Sequence, residues 1–207
     1  MFRAFLKDLV IQEFVHIPRN VTALLFISGF ALLGLQVVGI RVLGPYVGTA
    51  IPVWATVIGM MLVGGALGYY LGGYIADTRR SPRAFRLLWL VAGISIGVIP
   101  FTRGIVPILS ESFSPALTLL FSAKVLFLVP SMALSALTTY LIRTYVSTLA
   151  HVGQMHGDLY TIATIGSITG VFGTSYVLIP HVTVPHMLFG FAILVMLVGF
   201  LSESSHT

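Results

Sequence analysis

No cysteine occurs among the 207 residues, and only 8% of them are charged. The first absence excludes disulfides and thiolate metal sites. The second excludes an ordinary water-soluble domain, where about a quarter of residues carry charge. Acidic groups are the scarcest of all, with six Asp/Glu against 11 Lys/Arg. No segment alternates apolar and polar residues, which argues against an outer-membrane barrel. Basic residues do not interleave with aromatics, so a single-strand nucleic-acid surface is not expected either.

What the chain has instead is apolar length: 57% of it is hydrophobic. Six long stretches stand out, at 21–43, 51–76, 85–109, 116–142, 159–180 and 184–201. Each is close to or above the ~20 residues that carry a helix across a bilayer. Backbone groups in lipid must bond within their own segment, so the stretches read as helices. The expected fold class is all-α integral membrane with six transmembrane helices spanning 21–201. Pro100 and Pro107 should break the far end of the third, and Pro130 should kink the fourth.

Residues 1–20 read differently. Phe2, Phe5, Leu6, Leu9 and Val10 share one helical face, with Arg3, Lys7 and Asp8 elsewhere. That is the pattern of an amphipathic helix lying in the membrane interface. Packing on the protein's own loops is the other reading. Residues 202–207 form a short tail.

Orientation follows from the basic residues. With six spans, one side collects Arg3, Lys7, Arg19, Arg79, Arg80, Arg83, Arg86 and Arg143, and the other Arg41 and Arg103. Both termini should therefore be cytoplasmic, in a multi-pass protein of the cell membrane. Asp77 and the arginines after it mark the cytoplasmic end of the second span and offer an anchor or docking surface.

Glycines recur four residues apart inside the spans: Gly64, Gly68 and Gly72; Gly93 and Gly97; Gly166 and Gly170. Helices in lipid associate through close backbone approach, so these are packing faces. Smooth faces would also let helices rock during transport, and spacing does not separate the two readings.

Polar residues inside the spans are few. Lys124 lies well inside the fourth, where an isolated ammonium is costly, so it either faces a path or snorkels to the headgroups. Gln36 and Arg41 sit near the outer end of the first. These three are the candidate substrate-path residues. His151 and His156, and His181 and His186, stand five apart in loops, without zincin spacing. Neither a metal nor a cofactor is expected, and no nucleophile–base pair points to catalysis by this chain.

Two segments carry a resemblance. One is RVLGPYVGTAIPVWATVIGMMLVGGALGYYLGGYIAD, residues 41–77, with Arg41, Pro45, Tyr46, Gly48, Trp54, Gly68, Tyr69, Gly72, Gly73 and Asp77 in place. The other is LYTIATIGSITGVFGTSYVLIP, residues 159–180, with Tyr160, Thr164, Gly166, Ser167, Gly170 and Pro180. Both resemble the membrane portion of spermidine-synthase-like proteins, also described as fused major-facilitator/spermidine synthases. The chain departs from that pattern at Gln36, Ala163, Ser135 and Thr139. The resemblance implies half of a major-facilitator fold: a transporter-like module, moving a small cationic substrate and completed by a second copy or another membrane subunit. It also implies a separate soluble aminopropyltransferase-like enzyme as partner. The alternative is a non-transporting anchor or scaffold for that enzyme.

Overall fold

In this computed structural model the structure describes residues 17–79, 81–146 and 152–201, and within them every regular element is helical. The amphipathic segment at 1–15, Arg80 and the 202–207 tail lie outside the described residues. The helices are α1 (Arg19–Val47), α2 (Ile51–Thr78), α3 (Pro82–Thr102), the short α4 (Ile105–Ser112), α5 (Pro115–Tyr145), α6 (Val152–His181) and α7 (Val184–Leu201).

Five of them, α1, α2, α3, α5 and α6, are long and apolar enough to cross a membrane. The chain is thus built as a multi-pass membrane protein. The sixth expected span corresponds to α7, whose apolar part, Val184–Phe200, falls just below the same length. Seventeen residues reach about 25 Å, against ~30 Å for a bilayer's hydrocarbon core.

Local chemistry sets the boundaries. Ser81 caps α3 by accepting a hydrogen bond from the Ala84 N–H at 3.2 Å, with Pro82 at the first helical position. Pro115 likewise takes the first helical position of α5, there without a side-chain cap. Between α1 and α2 the chain turns at Gly48, whose φ of 79° suits glycine. The expected break after the third span falls at Arg103–Gly104, and Pro107 lies inside the new helix α4 rather than ending α3. Pro130 sits within a helix that continues unbroken to Tyr145. Its missing N–H leaves the Leu126 carbonyl without its usual helical partner.

Residues Gly173–Leu178 of α6 form a π-helical segment, with the Ile179 N–H donating to the Thr174 carbonyl five residues back. Pro180 follows directly, and its ring crowds the carbonyl four residues before it. A widened turn relieves that crowding, which accounts for the irregularity.

The glycine stripes are the seams of the bundle. A Cβ added at Gly68 would collide with the Met132 carbonyl, and one at Gly72 would stand 2.7 Å from the Ala136 Cα. Gly64 meets Ser131 in the same way. On α6, Gly166 and Gly170 press on α1, where an added Cβ would lie 2.9 Å from the Cα of Phe26 and of Phe30. Gly29 of α1 answers against the Ala163 carbonyl. A third seam joins α3 to α7, with Gly93 under Met196 and an added Cβ at Gly199 only 2.7 Å from Trp89 Cγ.

These contacts also fix direction. Phe26 and Phe30 face Gly166 and Gly170 in rising order, so α1 and α6 run parallel. Gly64, Gly68 and Gly72 face α5 residues in rising order, so α2 and α5 run parallel too. Ser28 bonds Thr138 while Gly39 meets Phe127, so α1 and α5 are antiparallel.

The pattern of contacts is unchanged when α1 is exchanged with α5, α2 with α6 and α3 with α7. The α2–α5 seam becomes the α1–α6 seam, α3–α5 becomes α1–α7, α1–α2 becomes α5–α6, and the α1–α5 and α3–α7 contacts map onto themselves. Because α1 and α5 are antiparallel, the two three-helix halves are inverted relative to each other. The most apolar windows of α1 and α5 are each 56% buried, against 33% for α2, 28% for α3 and 22% for α6, which makes α1 and α5 the central pair.

If the seams hold the bundle, Gly68→Ala should lower stability by about 1–3 kcal/mol through overpacking, and Gly68→Val by more. Gly59→Ala, where an added Cβ meets nothing within 4 Å, should not destabilise. Unfolding in detergent micelles measures both. Equal effects at the two positions would contradict the seam.

Candidate functional site

The two ends of the bundle differ in charge. Arg19, Asp77, Arg79, Arg83, Arg86 and Arg143 gather at the end where α2 and α5 finish and α3 begins. We call it the basic end. The opposite end carries Arg41, Arg103 and Glu111. The grouping expected from the sequence is thus reproduced for every described member.

At the basic end two contacts tie α2, α3 and α5 together. The Arg143 Nε donates to Asp77 Oδ1 at 2.7 Å, with both side chains about half exposed. The Tyr140 hydroxyl donates to the Ser81 carbonyl at 3.2 Å and its ring lies against Phe85 at 5.9 Å between centroids. Arg79 and Arg83 remain on the exposed surface beside them. Arg86, also exposed, runs alongside Trp89 and Met196 at the α3–α7 seam. Pairing across half-exposed groups is worth only about 0.2–1 kcal/mol, so this clasp orients helix ends more than it stabilises them.

The three expected path residues are not brought together. Gln36 is half-buried on α1 and its side chain makes no hydrogen bond to another described residue. Arg41 is exposed one and a half turns further on and lines a cavity of about 370 Å³ with Ile179, Pro180, His181, Val182, Thr183, Val184 and Met187. Neither Gln36 nor Lys124 lines it.

Lys124 lies on an outward stripe of α5 with Leu117, Leu120, Phe121, Val125 and Val129, and makes no ion pair among the described residues. The helix is longer than its apolar stretch suggests, 31 residues from Pro115. That is about 46 Å, some 16 Å more than the hydrocarbon core. Centred in the bilayer, α5 puts the Lys124 backbone only about 6 Å below the interface, within a lysine's reach. The snorkelling reading of this residue is compatible with that length.

A polar contact that sequence reading did not single out lies at the α1–α5 crossing. Ser28 Oγ and Thr138 Oγ1 are 3.1 Å apart and both buried. Each hydroxyl also faces a carbonyl of its own helix, Leu25 at 2.9 Å and Leu134 at 3.2 Å. Two protons serve three contacts, so one hydroxyl accepts from the other while its own proton goes to backbone. Small hydroxyls at matched depth are the only signal, and many serines and threonines in the spans share it. Other hydroxyls are buried without a partner among the described residues: those of Ser122, Ser135, Thr139 and Thr174. Ser135 and Thr139 face the α2 glycines.

No group of three or more His, Asp or Glu side chains with metal-binding geometry occurs among the described residues. His156 stacks on Tyr160, and His181 and His186 make hydrogen bonds within their own turn. Comparison with protein families, with curated proteins and with solved structures finds no match to this chain. The spermidine-synthase-like resemblance rests on the motifs of residues 41–77 and 159–180.

A double-mutant cycle on Asp77→Asn and Arg143→Gln should give a coupling of about 0.2–1 kcal/mol, vanishing near 1 M salt. A coupling that survives high salt would mean the pair is desolvated and structural.

Proposed function

We propose that this multi-pass membrane protein is a transporter-type module, equivalent to half of a major-facilitator fold. The observation that carries the reading is the exchange of contacts between α1–α2–α3 and α5–α6–α7. Inverted repeats of this kind recur in secondary transporters, whose substrate sites lie near the bilayer midplane between the repeats. α7 serves as the sixth span in this reading, its short apolar run met by tilt of its neighbours or local thinning of the bilayer.

A six-helix unit encloses no path by itself, so a second copy or another membrane subunit completes it. The loosely covered helices α2 and α6, and the outward stripe of α5, are the faces that such a subunit would meet. The basic end faces the cytoplasm, where Arg79 and Arg83 meet anionic headgroups or a soluble aminopropyltransferase-like enzyme. The substrate, on the family resemblance, is a small cation of the polyamine type. Gln36, half-buried on the central pair, is the path residue; Lys124 and Arg41 stand nearer the interface.

Two observations favour a second reading. The cavity at Arg41 does not reach Gln36 or Lys124, and exposed arginines cluster at one end. A membrane anchor for the soluble enzyme would need those arginines and no path.

Spermidine flux into proteoliposomes separates the two. The transport reading predicts flux above protein-free vesicles, cut about tenfold or more by Gln36→Leu, roughly the loss of one substrate hydrogen bond. Lys124→Ala should leave the maximal rate largely intact. Wild-type flux equal to that of empty vesicles would leave the anchor reading.

A further inference from the structure

We infer that the cavity at the end of the bundle opposite the basic end binds a phosphate group, with Arg41 as its principal ligand. The inference rests on this cavity alone and holds whether or not the chain transports.

Arg41 lies on α1, where Ile40 and Val42 on either side are buried, so the helix fixes the root of its side chain. Its guanidinium has no ion-pair or hydrogen-bond partner among the described residues. It opens instead into the space of about 370 Å³ formed by the α6–α7 connection. Five N–H donors in a rigid fork match phosphate oxygens two at a time.

His181 supplies the second polar group. Its Nδ1 lies 2.8 Å from the Val177 carbonyl oxygen. A carbonyl only accepts, so Nδ1 carries the proton and Nε2 is the nitrogen left for a ligand. In that tautomer Nε2 accepts, from a P–OH of inorganic phosphate or from a hydroxyl of an ester's substituent. Thr183, on the same lining, is held by His186 at 2.6 Å between Oγ1 and Nδ1.

No acidic residue lines the space. Of the described carboxylates, Asp77 and Asp158 are at the other end; Glu111 shares this end, on α4, outside the lining. The cavity is therefore cationic, next to apolar Ile179, Val182, Val184 and Met187 that would contact an organic substituent. The chemistry fits a phosphate ester, either the headgroup of a phospholipid or a soluble ester.

Purified protein, delipidated in detergent, is titrated with inorganic phosphate and separately with phosphatidylglycerol, reading the first by equilibrium dialysis and the second by native mass spectrometry. Arg41→Gln should weaken binding of at least one probe about tenfold or more, with Arg41→Lys intermediate. His181→Ala should weaken it less. Arg103→Gln removes the same charge from the same end and should leave binding unchanged. Loss confined to phosphatidylglycerol identifies a headgroup site; loss of inorganic phosphate identifies a site for soluble esters. Failure of the wild type to bind either probe overturns the inference. So does equal binding by Arg41→Gln, or an equal loss in Arg103→Gln. Thermal unfolding of each variant separates loss of ligand from loss of fold.

Discussion

Backbone pressed against backbone is the contact on which the rest of this structure depends. Lipid tails are as apolar as leucine, so burying leucine between helices gains little there. What remains is dispersion at short range, and only glycine lets two helices come near enough to collect it. Gly68 against the Met132 carbonyl and Gly166 against the Phe26 carbonyl are the two clearest cases. Each fixes a parallel pair, α2 with α5 and α1 with α6. The antiparallel α1–α5 crossing, with Ser28 bonded to Thr138, joins the pairs into one body.

That arrangement explains the uneven burial. The central helices α1 and α5 are enclosed, whereas α2 and α6 each lean mainly on one neighbour and leave large apolar side chains outward, among them Tyr70, Leu62, Tyr176 and Phe172. In lipid such faces cost nothing. They are also where a partner subunit could add contacts without displacing any. The ends of the bundle carry the specific chemistry: a clasp and exposed arginines at one, a cationic cavity at the other.

Much of this was legible in the residues. Apolar length gave the helices, and the starts of α2 and α7 fall where expected, at Ile51 and Val184. The four-residue glycine spacing gave the seams, though not their partners, because spacing names a face and not what lies across it. α6 begins at Val152 instead of 159 because Gln154, His156 and Asp158 belong to about two polar turns of helix outside the apolar run. For Lys124 the sequence left a path and a snorkelling reading open; α5 extends beyond its apolar run, which adds length on the side of the second. The cavity at Arg41 was not visible at all, since it joins residue 41 to residues 179–187 through tertiary packing. The π-helical segment left only a faint mark, a glycine and two hydroxyls ahead of Pro180.

The absence of cysteine makes the central claim directly testable. A Cβ added at Gly73 would lie 3.7 Å from Thr139 Cγ2, across the α2–α5 seam. Paired cysteines at 73 and 139 should therefore form a disulfide readily under mild oxidation in native membranes, while a pair at 59 and 139 should not. Equal cross-linking of the two pairs, or none at 73 and 139, would contradict a bundle held together along its glycines.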